Sequence, residues 1–361
     1  MTNISNTTVT VWSTDGSEFV AALVSLGFIS LIGLGGNGLV VAIITTARNR
    51  GEKNAVQLFL FHLAVSDLMV CLLCIPLTIL MNFNFPTEVS VTEHGLCKVT
   101  RYVQFLAPSS SIAILTVISI DRFYSLVKPF KRGTRFRSPY FLIFTAWFYA
   151  GVIFLPTFYF AKMEQISTNR GEVWYCATIP NNNLIGFIYL LFLFLSAFAV
   201  PLATIIVLYF RVGKAVWSRQ RKISRSSNTY ITKNSLSVLQ RSRRRVIRML
   251  LIVVVVFLFC WSPFVIYTGF IEKYVASFPN PADTVRLILY SLGLANSICN
   301  PFIYYLNSER SKRGSLKNIC FEAVARKTTR KSSLPTERYL PQTGTVYTVY
   351  KDGGETYDTK L

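Results

Sequence analysis

An acid and a base stand side by side at Asp121-Arg122, where a run from Tyr102 to Ile120 without a charged residue ends. A second acid, Asp67, interrupts the apolar stretch Leu63-Ala64-Val65-Ser66-Asp67-Leu68. Charge in or beside such stretches is costly, so each acid is expected to pair, protonate or bind a cation. The chain offers nothing that reads as catalysis. No nucleophile–base pair or metal-ligand cluster is evident, and His62 and His94 stand alone. The chain is therefore expected not to be an enzyme.

The elements that must position these groups are apolar and long. The 361 residues are 52% hydrophobic and only 15% charged, against about 25% charged in soluble domains. Seven runs, at about 19–47, 55–82, 99–127, 139–161, 184–211, 246–271 and 284–305, are long enough to cross a bilayer, which takes about 20 residues. A bilayer obliges each run to satisfy its backbone internally. The fold class predicted is an all-α membrane protein, a seven-helix bundle over 19–305. Prolines inside the fourth to seventh runs, and Pro76 in the second, predict kinks around a cavity. No inverted repeat supports a transporter, the rival class.

The net charge of +21 suggests nucleic acid, but its distribution does not. Of the 38 Lys and Arg, 32 fall in 48–53, 122–137, 211–248 and 306–361, the segments that alternate to one side. By the positive-inside rule the N-terminus is outside and the C-terminus inside. Residues 1–18 are expected to form a glycosylated outer segment, with acceptors at Asn3 and Asn6. No cleavable leader is expected, the first run serving as its own anchor. The stretch 211–248 reads as a flexible basic loop. Residues 306–321 read as an amphipathic helix on the inner membrane surface, with Cys320 placed for lipidation. Residues 322–361 read as a disordered tail ending Thr359-Lys360-Leu361, a terminus suited to a PDZ groove.

Of seven cysteines, only Cys97 and Cys176 fall at the expected outer face, where a bridge can persist. Bonding them would pin the loop from Lys162 to Asn183 across the mouth of the bundle. Gly35, Gly36 and Gly38, around Asn37, are expected to allow close helix approach.

Taken together, Gly36 to Val40, Leu63 to Asp67, Asp121-Arg122-Phe123, Trp147, Cys260-Trp261-Ser262-Pro263 and Asn300 to Tyr304 resemble the motifs of the rhodopsin-like (class A) G-protein-coupled receptors. The resemblance covers about residues 20–321. The third-run pattern is most similar to neuropeptide receptors, in the neighbourhood of the orphan, adropin-linked receptor and the trissin receptors. Two departures stand out: Phe123 replaces a tyrosine, and Ser311 stands where the surface helix usually has an aromatic residue.

The resemblance implies roles. Arg122, paired with Asp121, is the switch, released towards Tyr209 and Tyr304 on activation. Trp261, Pro263, Asn300 and Pro301 belong to the same machinery, and Ile112, Pro201 and Phe257 form the packing switch beneath the ligand cavity. Asp67, Ser111, Asn296, Ser297 and Asn300 would hold an allosteric sodium ion, the one cofactor expected. The Cys97–Cys176 pair matches the family's outer disulfide.

Gln104 stands where amine receptors carry an aspartate, and Leu287 to Tyr305 contains no Schiff-base lysine, so amine and retinal ligands are not expected. Gln104, Trp174, Tyr175, Phe264, Tyr267, Arg286 and Tyr290 form the expected ligand surface, suited to an extracellular peptide, with a lipid or small molecule as the rival. Expected partners are a heterotrimeric G protein, arrestin and receptor kinases, a PDZ-domain protein and membrane lipid, at the plasma membrane. Nucleic acid is not among them.

Overall fold

Apolar runs of this length can satisfy their own N–H and C=O groups in lipid only as helices. The structure, a computed structural model, describes residues 17–52, 54–83, 91–128, 138–168, 171–177, 184–226, 230–268, 281–307, 347–352 and 355–360. Among these, seven helices are long and apolar enough to cross a membrane. They are Val20–Asn49, Ala55–Met81, Thr92–Leu126, Pro139–Phe160, Leu184–Ala215, Ile247–Ile266 and Val285–Leu306. Each falls on one of the seven runs expected. Asn3, Asn6, Ser311 and Cys320 lie outside the described residues.

Span three is the central element, packed against spans two, four and five. Its Ile112, Ile114, Leu115 and Ile118 join Phe59, Leu63, Leu250, Phe257 and Leu294 in one apolar core. The exterior is apolar as well as the core. Leu31, Phe210 and Phe259 are more than two-thirds exposed, whereas the polar Asn37, Ser66 and Asp67 are fully buried. An apolar exterior with the few polar groups of the spans kept inside is what a lipid-embedded bundle requires.

The prolines act locally, and in two ways. Span two passes through a π-helical turn, Val70–Cys74, immediately before Pro76, and span five through another, Leu195–Ala199, before Pro201. In each case the carbonyl four residues before the proline, which its ring would strike, lies inside the widened turn. Pro156 does more than kink span four. The helix Pro139–Ile153 stops, Phe154 to Pro156 form a turn, and Thr157–Phe160 resumes it.

The loop after span four folds as an antiparallel hairpin, β1 (Lys162–Thr168) with β2 (Gly171–Ala177), placing Met163 opposite Cys176. The expected bridge is present: Cys97 and Cys176 are joined, with Cα atoms 5.5 Å apart.

Two segments differ from expectation. Much of 211–248, read as a flexible loop, is helical, as span five continues in Val200–Ser226 and span six begins within Tyr230–Ile266. Extending an existing helix needs no new nucleus, and Arg, Lys and Gln favour it. Residues 306–361 are a separate unit, in which β3 (Tyr347–Asp352) pairs with β4 (Glu355–Lys360). Tyr347-Thr348-Val349-Tyr350 is a run of strand-favouring residues that the reading of this tail as disordered overlooked.

Candidate functional site

At the end of span three the Arg122 guanidinium donates to the Asp121 carboxylate. Asp121 is buried and Arg122 nearly so. The neighbouring Phe123 explains its own departure from tyrosine: it packs with Leu126 and Val212, and Lys128 Nζ lies 5.8 Å from its ring centroid. A hydroxyl there would need a polar partner in an apolar cluster. Tyr209 is buried, with its hydroxyl beside Ser119. Arg122 Nε and the Tyr304 hydroxyl are buried without a hydrogen-bond partner among the described residues.

Midway through the bundle the small and amide residues of spans one, two, three and seven converge. Asn37 Nδ2 donates to the Ser297 carbonyl at 2.8 Å and to the Gly33 carbonyl at 3.0 Å. Gly36 provides the room: a Cβ there would sit 3.0 Å from Pro301 Cγ, whereas Gly35 and Gly38 face open space. Asn300 Nδ2 donates to Asp67 Oδ2 at 2.8 Å. The Ser66 hydroxyl meets those of Ser110 at 2.6 Å and Ser111 at 2.8 Å. The oxygens Asp67 Oδ1, Asn296 Oδ1 and Asn300 Oδ1 are buried without a hydrogen-bond partner among the described residues. Asp67, Ser111, Asn296, Ser297 and Asn300, the residues expected for a sodium site, are all buried on spans two, three and seven, and Asn300 is bonded to Asp67.

Above this layer Trp261 is ringed by aromatics. Its ring centroid lies 6.5 Å from Phe257, 6.1 Å from Phe264 and 6.4 Å from Tyr290. Ile112 and Phe257 share its core, and Pro201 is buried. Pro263 and Pro301 are carried inside the helices of spans six and seven.

The residues expected to contact ligand divide into two groups. Phe264 and Tyr290 meet at 5.2 Å, with Tyr267 buried one turn beyond Phe264 and Arg286 half-buried one turn before Tyr290. Gln104 connects to this group by hydrogen bonds: its Nε2 donates to Thr78 Oγ1 at 2.8 Å, and Thr78 reaches the Tyr290 hydroxyl at 3.4 Å. Trp174 stands apart, against the His94 ring at 6.4 Å and the apolar cluster around the disulfide. Tyr175 lies on β2 opposite Glu164.

Three contributions were missed in the sequence. Arg101, one turn before Gln104, donates to Gln104 Oε1 at 2.8 Å and to the Cys176 carbonyl at 2.5 Å, tying the hairpin to span three. Its spacing of three residues from Gln104 was the available signal. Gly293 was missed as the wall against which Trp261 rests. Neither histidine is isolated as expected: Trp147 Nε1 donates to His62 Nδ1 at 3.3 Å, and His94 meets Trp174.

The family of 7 transmembrane receptors (rhodopsin family) matches residues 36–304. The chain is similar to the pyroglutamylated RF-amide peptide receptor of Rattus norvegicus, 27% identical over 311 residues, 84% of this chain and 70% of that one. It is also similar to neuropeptide FF receptor 2 of the same species, 27% identical over 312 residues, 82% and 71% of the two chains. Probable G-protein coupled receptor 19 of that species is 25% identical over 330 residues, 89% and 72% of the two. Seven apolar spans accord with this match, and this chain belongs to the rhodopsin family of 7 transmembrane receptors, a receptor family and not an enzyme family.

Proposed function

We propose that this chain is a plasma-membrane receptor, N-terminus outside, which an extracellular peptide activates to promote nucleotide exchange on heterotrimeric G proteins. The peptide class is supported by relatives named for RF-amide and neuropeptide FF peptides and by the Gln104 amide, the Arg101 guanidinium and the paired rings of Phe264 and Tyr290. The observation that carries the reading is the Asp121–Arg122 pair, its acid buried, with Arg122 Nε and the Tyr304 hydroxyl buried and without a hydrogen-bond partner among the described residues. Buried polar atoms left unpaired favour a second arrangement that satisfies them. In this reading activation moves Arg122 from Asp121 towards Tyr209 and Tyr304 and opens the inner face to a G protein. Arrestin and receptor kinases then act on the inner loops and tail, and Thr359-Lys360-Leu361 offers a strand to a PDZ groove.

The mid-membrane cluster fits sodium. One carboxylate, two amide oxygens without partners and the Ser111 hydroxyl are hard oxygen donors. A cation held there stabilises the arrangement that binds it better. The reading is tested by screening secreted neuropeptides for G-protein dissociation and arrestin recruitment. The expected result is one responsive peptide whose binding survives Arg122→Ala while exchange is lost; undiminished exchange by that variant would reject the switch.

A further inference from the structure

The outer hydrogen-bond chain has a fixed direction. At one end Arg101 can only donate, and it holds Gln104 Oε1 at 2.8 Å. At the other end the Cys74 carbonyl can only accept, and it takes the Thr78 hydroxyl proton at 2.6 Å. Thr78 Oγ1 must therefore receive Gln104 Nε2 on a lone pair. The Tyr290 hydroxyl is left to donate either to Thr78 at 3.4 Å or to Cys74 Sγ at 3.5 Å. Both ends are anchored. Arg101 also holds the disulfide-linked hairpin through the Cys176 carbonyl, and Cys74 belongs to the π-helical turn before Pro76. Tyr290 in turn presents its ring to Trp261 and Phe264.

We propose that Arg101 and Thr78 are positioning residues of the ligand site: they hold Gln104 as a donor and, through Tyr290, hold span seven to spans two and three in the resting receptor. This rests on the receptor reading above. Arg101 on Oε1 and Thr78 on Nε2 fix which way the Gln104 amide faces, and its second N–H is left to meet a peptide carbonyl or carboxylate. A ligand group beside Gln104 that takes the Tyr290 hydroxyl proton competes with Thr78 and Cys74 and loosens the tie to span seven, where the Tyr290 ring borders Trp261. The bonds to Tyr290 are long for hydroxyl contacts, as suits a tie that opens.

The experiment needs no ligand. Full-length receptor carrying Thr78→Val, Thr78→Ser, Tyr290→Phe or Thr78→Val with Tyr290→Phe is compared at matched surface level for basal G-protein dissociation. Asp121→Asn, which removes the charge paired with Arg122, is the control for the switch. The same variants, purified, give melting midpoints. The tie predicts basal signal raised roughly two- to five-fold by Thr78→Val and by Tyr290→Phe, the effect of one lost hydrogen bond on a two-state equilibrium. Thr78→Ser should stay at the wild-type level, and the double variant should add little. Flat basal signal while Asp121→Asn is active overturns the proposal. If Asp121→Asn is itself silent, the switch reading fails, and the melting points decide the tie: non-additive losses support it and additive losses overturn it.

Discussion

Gly293 lies against the face of Trp261, where an added Cβ would come within 3.0 Å of Cε3 and 3.1 Å of Cζ3. The indole is hemmed by Phe257, Phe264 and Tyr290, so it has little space in which to yield. Gly293→Ala is expected to overpack this layer and lower the melting midpoint of the purified receptor, by a cost of about 1–3 kcal/mol. Gly35→Ala, in the open, should instead be neutral or stabilising by about 1 kcal/mol, the helix-propensity gain alone. Equal melting of the two variants would show that Trp261 does not rest on Gly293.

That pair also shows where the sequence stopped being informative. Seven apolar runs were legible because only apolar residues suit lipid, and Asp67 and the Asp121-Arg122 pair because lipid penalises charge, whereas Ser111, Asn296, Ser297 and Asn300 were singled out only by the family resemblance. Gly293 was not legible, since a glycine in a helix carries no record of what it faces. Phe123 read as a departure, and only its packing with Leu126 and Val212 explains it. The flexible reading of 211–248 failed because polarity signals exposure, not loss of helix. The residues expected to meet ligand were chosen by type, but the direction of the Gln104 amide depends on Arg101 and Thr78 together, which meet only in the fold.

Trp147 and His62 couple span four to span two by one hydrogen bond in an apolar setting. His62→Leu leaves the indole N–H unpaired and is expected to cost about 1–3 kcal/mol, whereas His62→Gln restores an acceptor and most of the stability. Trp147→Phe removes the donor and should make the two His62 variants alike. Melting midpoints of the three single variants, of each His62 variant combined with Trp147→Phe, and of the wild type decide it; a His62→Gln receptor as unstable as His62→Leu would remove the hydrogen bond from the account.

Sodium, if held by Asp67 and the neighbouring oxygens, stabilises the resting receptor by mass action. Each tenfold excess over the dissociation constant adds about 1.4 kcal/mol. Raising sodium chloride against choline chloride at constant ionic strength should therefore raise the melting midpoint of the wild type. Asp67→Asn should abolish the increment, since an amide keeps the bond with Asn300 but loses the charge. A midpoint rising equally in both salts, or unaffected by Asp67→Asn, would assign the cluster to a purely structural role.

The Cys97–Cys176 bridge closes a sequence separation of 79 residues. In the loop-entropy account such a crosslink stabilises by about 4 kcal/mol. Its local effect reaches further than its stability. Cys176 lends its carbonyl to Arg101, so losing the bridge releases the hairpin and removes one of the two bonds that aim the guanidinium at Gln104. Cys176→Ser is expected to lower the melting midpoint and to weaken binding of the peptide found by screening. Arg101→Gln, which keeps the bridge, should weaken binding with a smaller loss of stability. Paired melting and radioligand measurements separate the effects, and full affinity in Arg101→Gln would show that the hairpin, rather than the orientation of Gln104, is what the peptide requires.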